Sequence, residues 1–181
     1  MAASSSILAS DVVSTFFGKR AWPGCPSKKQ DWGYPESMIH YIAKNPSSAK
    51  VYQKMIQSCK YFFENNPVLV VSKLEAFQEN EKCDICSNKT NECKKNKGKC
   101  CVRIDIAKVS SKFWLLDEFD IGKSAQNFFS VFCSKMYRCE INRLGIWKMV
   151  IVFDDLQLLT SSAKQITLWR NSITYNDGKP V

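Results

Sequence analysis

The chain has 181 residues, of which 45% are hydrophobic and 12% aromatic, so it is long and apolar enough to bury a core and is not a disordered chain. Its net charge of +9 is spread along the sequence, which favours general basicity over a dedicated nucleic-acid-binding face. No apolar run reaches the roughly 20 residues that a membrane-spanning helix needs.

Residues 1–33 are predicted to form a flexible leader, because their prolines and glycines interrupt regular structure. The leader lacks the basic first segment of a secretory signal, whereas its serines with Lys19 and Arg20 leave a mitochondrial presequence as an alternative. Without an export signal, the nine cysteines are expected to be reduced thiols. The predicted location is therefore the cytoplasm, the nucleus or both.

Residues 34–67 are predicted to form short helices. Pro35 suits the first turn of a helix, since its missing N–H has no partner there. Ser47 or Ser48 can cap the following helix by accepting a hydrogen bond from a free backbone N–H. Apolar residues recur at offsets of three and four, which places a stripe on each helix. The residues that we predict to contact a partner are Pro35, Met38, Ile39, Ile42, Val51, Met55, Ile56, Cys59 and Phe62.

This block resembles the F-box motif. A proline opens it, apolar residues stand at the third, fourth and seventh positions after that proline, and residues 58–62 (SCKYF) occupy the place of the family's closing hydrophobic-Cys-Lys-x-aromatic signature. The order of leader, block and β-rich sequence is similar to that of the nematode families of F-box-type proteins. A simple helical hairpin packed on its own chain is the alternative.

The resemblance implies a non-catalytic protein-interaction adaptor. Such a protein is the substrate-recognition subunit of an SCF-type cullin–RING ubiquitin ligase. The block would dock a Skp-type linker protein, and the rest of the chain would bind a protein target that the sequence does not identify. No membrane partner is expected.

Residues 68–181 are predicted to be an α/β region. Val68 to Val71 is typical of a buried strand, and Val102 to Ile106 alternates as a half-buried strand does. Ser124 to Phe132 predicts a short helix with three phenylalanines on one face. Residues 75–101 are rich in cysteine and lysine and are predicted to be an inserted loop. The fold class is α/β, with a short helical N-terminal unit followed by an irregular, leucine-rich-repeat-like layer of strands and helices.

Two alternations near the end of the chain indicate a repeat. Cys139-x-Ile141 and Ile166-x-Leu168 are 27 residues apart, within the leucine-rich range of about 20–29. The second continues to Asn171, which fits the repeat's core asparagine, a residue that satisfies backbone groups after the strand. Because no terminal cap follows, we expect a short isoform or a C-terminally truncated form. A complete chain with a mobile tail is the alternative.

A cysteine series offers the main alternative chemistry. Cys83, Cys86, Cys93 and Cys100 have a spacing that can supply four thiolates to one tetrahedral zinc ion, although a flexible loop without any cofactor remains open. With the surrounding lysines, a zinc-stabilised module at Cys83–Cys101 that binds nucleic acid is the second functional hypothesis. That segment has no aromatic residue to stack on bases, so nucleic acid is the less favoured partner.

Catalytic signatures are missing from the sequence. His40 is the only histidine, and no motif marks a nucleophile for it to activate. The glycines form no phosphate-binding loop. Asp154 and Asp155 precede a helical segment, where aspartate commonly caps a helix. The chain is therefore predicted not to be an enzyme.

Overall fold

The structure is a computed structural model that describes residues 31–77 and 82–181. The predicted leader lies outside the described residues up to residue 30. The chain divides into two compact units, the first ending at Val68 and the second beginning at Leu69. The described residues combine helices with a mixed sheet and begin with a short helical unit, which confirms the predicted α/β class. No helix in this part of the chain is long and apolar enough to cross a membrane.

The elements are numbered in chain order over the described residues. The helices are α1 (Glu36–Lys44), α2 (Ala49–Ser58), α3 (Lys60–Asn65), α4 (Thr90–Lys95), α5 (Gln126–Ser134) and α6 (Phe153–Thr160). The strands are β1 (Val68–Ala76), β2 (Lys82–Cys86), β3 (Cys101–Asp105), β4 (Lys112–Gly122), β5 (Met136–Cys139), β6 (Arg143–Trp147), β7 (Val150–Val152), β8 (Gln165–Trp169) and β9 (Ser172–Thr174).

Local sequence explains where the first two helices begin. The carbonyl oxygen of Pro35 accepts hydrogen bonds from the N–H groups of Met38 and Ile39 at 3.0 and 3.2 Å, so α1 starts directly after the proline. The hydroxyl of Ser48 accepts from the N–H of Val51 at 3.3 Å. This contact satisfies one of the free donors of α2 and confirms the predicted cap.

The helical run after this cap is divided in two. Cys59 has an extended backbone (φ −151°, ψ 128°) and separates α2 from α3. The buried hydroxyl of Tyr52 connects α2 to the segment after α3. It accepts from the N–H of Val68 at 3.0 Å and donates to the carbonyl of Asn66.

The second unit contains a seven-stranded mixed sheet. Its strand order is β3-β2-β1-β4-β6-β8, and β5 pairs with β4 outside this path. The β1–β2 and β2–β3 pairs are antiparallel, whereas β4, β6 and β8 run parallel. The strands β7 and β9 form a separate, two-stranded parallel sheet. The sheet therefore has an antiparallel end and a parallel end.

The cysteine- and lysine-rich segment is built of regular elements, so the predicted loop at 75–101 is wrong for the residues described there. β2 and α4 both lie within it, and β2 pairs along its length with β3, from Lys82 opposite Asp105 to Cys86 opposite Cys101. The reason is visible in β2 itself, where Cys83 and Ile85 are buried at alternate positions as in a strand. The lysine content concealed this alternation.

The parallel half repeats with a different spacing from the one predicted. Leu144 of β6 pairs with Ile166 of β8, 22 residues later, and Phe119 of β4 pairs with Leu144, 25 residues later. The predicted spacing of 27 is wrong because Cys139 belongs to β5, which pairs with β4 and not with β8. Both observed spacings lie within the leucine-rich range of about 20–29 residues.

The predicted asparagine has the role that the sequence assigned to it. The side-chain amide of Asn171 donates to the carbonyl of Ile146 at 2.8 Å, and its oxygen accepts from the N–H of Met149 at 2.9 Å. These contacts tie the turn after β8 to the turn after β6. An extended chain that reverses here would otherwise leave these backbone groups without partners.

Candidate functional sites

Helix α1 carries an apolar stripe on its exposed side. Met38, Tyr41 and Ile42 are 50%, 68% and 43% exposed, and their spacing of three and four residues places them on one face of the helix. Tyr34, which precedes the helix, is 66% exposed. We call these four residues the α1 stripe. Contiguous exposed apolar residues of this kind are typical of protein-binding sites.

The predicted docking residues divide into three groups. Pro35, Met38, Ile42 and Val51 are exposed, and Met55 and Cys59 are half-buried. The buried ones, contrary to the prediction of a docking role, are Ile39, Ile56 and Phe62.

The same periodicity explains the buried group. Both α1 and α2 have apolar residues on two faces. An apolar periodicity of three and four residues is the same for a face that is buried and for one that is exposed, so it does not distinguish them. Ile39 belongs with the buried Ala43 one turn later, whereas Met38 and Ile42 lie on the neighbouring, exposed face. The sequence-based prediction of docking residues did not include Tyr34 and Tyr41. Tyr41 had a usable signal, since it lies three residues after Met38 on the same face.

The second candidate site is a cluster of four cysteines. The sulfur atoms of Cys86, Cys93, Cys100 and Cys101 all lie within 4.8 Å of one another, and the arrangement can hold a metal ion. The sulfurs of Cys86 and Cys100 are 3.2 Å apart, and those of Cys93 and Cys101 are 3.3 Å apart. Cys86 ends β2, Cys93 lies in α4, Cys100 lies in the turn that follows, and Cys101 begins β3. We call them the thiol cluster.

The predicted ligand Cys83 is not part of this cluster, so that assignment is corrected. Cys83 and Cys86 both lie in β2, three positions apart, and an odd separation on a strand directs the two side chains to opposite faces. Cys83 pairs with Ile104, whereas Cys86 pairs with Cys101, which takes its place as the fourth thiol. The sequence placed the C-x2-C pair on a turn, where both thiols would point the same way.

The thiols perturb one another strongly. Burial, followed by the hydrogen bond to Cys100, raises the pKa of Cys86. Burial and the contact with Cys93 raise the pKa of Cys101 to about 11. The hydrogen bond that Cys86 donates lowers the pKa of Cys100. Of these three thiols, Cys100 is therefore the first to lose its proton as the pH rises.

Lysines surround the thiol cluster. Between Cys86 and Cys101 the sequence contains five lysines and one glutamate. A shallow concavity next to the cluster is lined by Lys95, Asn96, Lys97, Lys99 and Cys100. This surface is positively charged and suits an anionic group.

The sheet also carries a group of charged side chains on β1, β4 and β6, and its Lys73 lies opposite Cys86. Lys73 and Glu75 of β1 form an ion pair at 2.8 Å, and Arg143 of β6 contacts the buried Glu118 of β4 at 2.7 Å. Burial, with the negative charges of Glu118 and Glu75 adding to it, raises the pKa of Asp120 to about 6. His40, by contrast, is exposed on α1.

The raised pKa of Asp120 leads to a pH-dependent stability. The folded protein keeps a proton that the unfolded chain loses, so the free energy of unfolding falls as the pH rises from 3.8 to about 6 and stays lower above that range. Asp120→Asn removes this loss and is expected to raise the free energy of unfolding at pH 7.5 by about 1 kcal/mol, after discounting for partial exposure. Urea unfolding at pH 4 and pH 7.5 measures it.

The control for this substitution is Glu140→Gln, which changes an exposed carboxylate on the same unit. It is expected to lack the gain that Asp120→Asn shows at pH 7.5, because its side chain lies in solvent. A gain for Asp120→Asn that has the same size at pH 4 and pH 7.5 would show that the gain comes from packing and not from ionisation.

Comparison with protein-family models, with curated proteins and with solved structures gives no significant match to the chain.

Proposed function

We propose that the chain is a non-catalytic interaction adaptor, the substrate-recognition subunit of an SCF-type cullin–RING ubiquitin ligase. The observation that supports this proposal is the exposure of the α1 stripe within the F-box-like block. Met38 and Ile42 stand at positions that the resemblance assigns to docking, and both are at least 43% exposed.

The chemistry of the stripe suits a Skp-type linker protein. Helices that present apolar side chains at intervals of three and four residues bind in apolar grooves of partner proteins. Tyr34 and Tyr41 add large aromatic side chains, a residue type enriched at the energetic centres of interfaces. On α2, Val51 is exposed and Met55, one turn later, is half-buried, so this helix offers further apolar contacts.

In this function the chain would perform no chemistry itself. It would hold a target protein beside the charged ubiquitin-conjugating enzyme and so raise the local concentration of the target's lysines. The strand and helix region of the second unit would bind the target. We propose the cytoplasm or the nucleus as its location, where such assemblies work.

A binding assay with the purified linker protein tests the adaptor function. Met38→Asp combined with Ile42→Asp introduces two charges into the α1 stripe, and a buried unpaired carboxylate is costly in an apolar interface. Because both side chains are already about half-buried, the loss of their remaining apolar contact amounts to about 1.5–3 kcal/mol, so binding is expected to weaken by roughly 10- to 100-fold before the cost of the charges is added. Isothermal titration calorimetry measures it.

The matched control is Ser37→Asp combined with His40→Asp, which adds two carboxylates to exposed positions of the same helix outside the stripe. It is expected to keep binding within a few-fold of the wild type. Circular dichroism checks that both double variants retain their helices. An adaptor role is excluded if the wild type does not bind, or if both double variants bind as it does.

The second candidate is a zinc-stabilised basic module that binds nucleic acid through Cys83–Cys101. The observation in its favour is the concavity that Lys95, Lys97 and Lys99 line next to Cys100. Phosphate contacts would make binding fall steeply with salt. Lys97→Gln combined with Lys99→Gln should lower the slope of log affinity against log salt by roughly 2. Retention on a polyanion column that these substitutions leave unchanged would count against this candidate.

A further inference from the structure

The thiol cluster has the size of a single tetrahedral metal site. A zinc–sulfur bond is about 2.3 Å long, so the edges of a zinc tetrathiolate tetrahedron measure about 3.8 Å. The two closest sulfur pairs of the cluster are 3.2 and 3.3 Å apart, and every other pair lies within 4.8 Å. Two separations lie about 0.5 Å below the value that the ion requires and the others exceed it by at most about 1 Å, differences that side-chain rotations can absorb.

The donor set selects the metal. All four candidate ligands are thiols, and soft thiolate ligands in a tetrahedral arrangement favour zinc over the hard cations magnesium and calcium. Cys86 and Cys93 are only 1% and 5% exposed. A site that protein ligands fill on all four sides leaves no open position for substrate, which is typical of a structural centre.

The charge around the cluster complements a bound zinc ion. Zinc with four thiolates carries a net charge of −2, and the segment between Cys86 and Cys101 carries a formal excess of four positive charges, from five lysines and one glutamate. Lys99 and Lys97 line the concavity at Cys100. The lysines that would repel a bare cation therefore stabilise the complete anionic centre.

Backbone hydrogen bonds hold the turn that brings the thiols together. Lys97 and Gly98 both have left-handed φ values, 51° and 72°, and reverse the chain after α4. The N–H of Gly98 donates to the carbonyl of Cys93 at 3.0 Å, and the N–H of Cys101 donates to the carbonyl of Gly98 at 2.9 Å. This turn returns Cys100 and Cys101 to the start of β3, next to the end of β2.

The sulfur of Cys86 has a partner that orients it. The backbone N–H of Asn88, two residues further along, donates a hydrogen bond to it. Donors of this kind around ligating atoms fix their direction and favour the charged, metal-binding form.

We propose that Cys86, Cys93, Cys100 and Cys101 bind one structural zinc ion that fastens α4 and its turn to the β2–β3 end of the sheet. Four thiols bind the ion as thiolates and release four protons to solvent, so the exchange balances without a redox partner. The zinc centre is shared with the second candidate function but does not require it. Metal binding is measured without nucleic acid, and its failure leaves the adaptor function untouched.

Metal analysis of the full-length chain tests the proposal. The reduced protein, loaded with Zn²⁺ and dialysed, is expected to retain one zinc ion per chain. Loading with Co²⁺ instead should give the intense visible absorption of a tetrahedral thiolate site. Cys93→Ser and Cys101→Ser should each lower the retained metal towards zero.

The matched control is Cys83→Ser, because Cys83 is buried on the same strand as Cys86 but on the opposite face. It is expected to retain one equivalent of zinc. Cys101→His keeps a zinc-binding side chain and should also retain the ion, which separates ligand loss from misfolding. The proposal is overturned if the reduced wild type retains no zinc, or if Cys83→Ser loses as much metal as Cys101→Ser.

Discussion

Phe132→Ala is expected to lower the free energy of unfolding by about 3–5 kcal/mol, the cost of a large buried aromatic truncated in a packed core. Phe132 is fully buried on α5, and its ring lies 4.8 Å from that of Phe119 and 5.9 Å from that of Phe113, both on β4. It is also stacked on Phe128 at 5.8 Å. One truncation therefore opens a cavity and removes three aromatic contacts, two between the helix and β4 and one within the helix.

Urea unfolding followed by tryptophan fluorescence measures this loss, with Phe153→Ala as the control. Phe153 opens α6 and is 38% exposed, so its truncation removes less buried surface and should cost less than half as much. Equal losses for the two variants would mean that α5 is not packed on β4 as described.

Sequence patterns predicted the elements whose residues interact locally. Pro35 and Ser48 marked the starts of α1 and α2 because a missing N–H and a capping hydroxyl act within one helical turn. The face of α5 was equally readable, since Phe128, Phe129 and Phe132 are all buried. Local chemistry and helical period agree at these positions, so the sequence is enough to predict the helix starts and the buried face.

Long-range pairing was beyond the sequence. The segments around Cys139 and Ile166 show the same alternation of apolar and polar residues. Cys139 nevertheless lies in β5 and pairs with β4, whereas Ile166 lies in β8 and pairs with Leu144 of β6. The fourth thiol was missed for the same reason. Cys101 joins the cluster because β3 lies beside β2, and this adjacency follows from backbone pairing and not from cysteine spacing.

The two candidate sites lie on different units and suit different ligands, an apolar protein surface for the α1 stripe and a zinc ion for the thiol cluster. The α1 stripe is apolar and belongs to the helical unit, whereas the thiol cluster and its lysines belong to the sheet unit. A zinc ion at the cluster would stabilise the second unit without adding to the apolar stripe. The adaptor function and the zinc centre are therefore compatible, and the charge and ligand substitutions separate them experimentally.

Tyr52→Phe is expected to lower the free energy of unfolding by about 2–4 kcal/mol, although it removes a single oxygen atom and leaves no large cavity. The buried hydroxyl accepts from the N–H of Val68 and donates to the carbonyl of Asn66. Its loss leaves two backbone groups without this partner, and each buried unsatisfied group costs about 1–3 kcal/mol. Thermal unfolding and hydrogen exchange of the α2 amides measure the effect.

Tyr41→Phe is the matched control, because Tyr41 is 68% exposed and water replaces any contact of its hydroxyl. Its stability is expected to stay within about 0.5 kcal/mol of the wild type. Faster exchange throughout α2 in Tyr52→Phe, with none in Tyr41→Phe, is the expected pattern, since Tyr52 joins α2 to the segment that follows α3. An unchanged Tyr52→Phe would mean that water satisfies both backbone groups and that the helical unit does not depend on this hydroxyl.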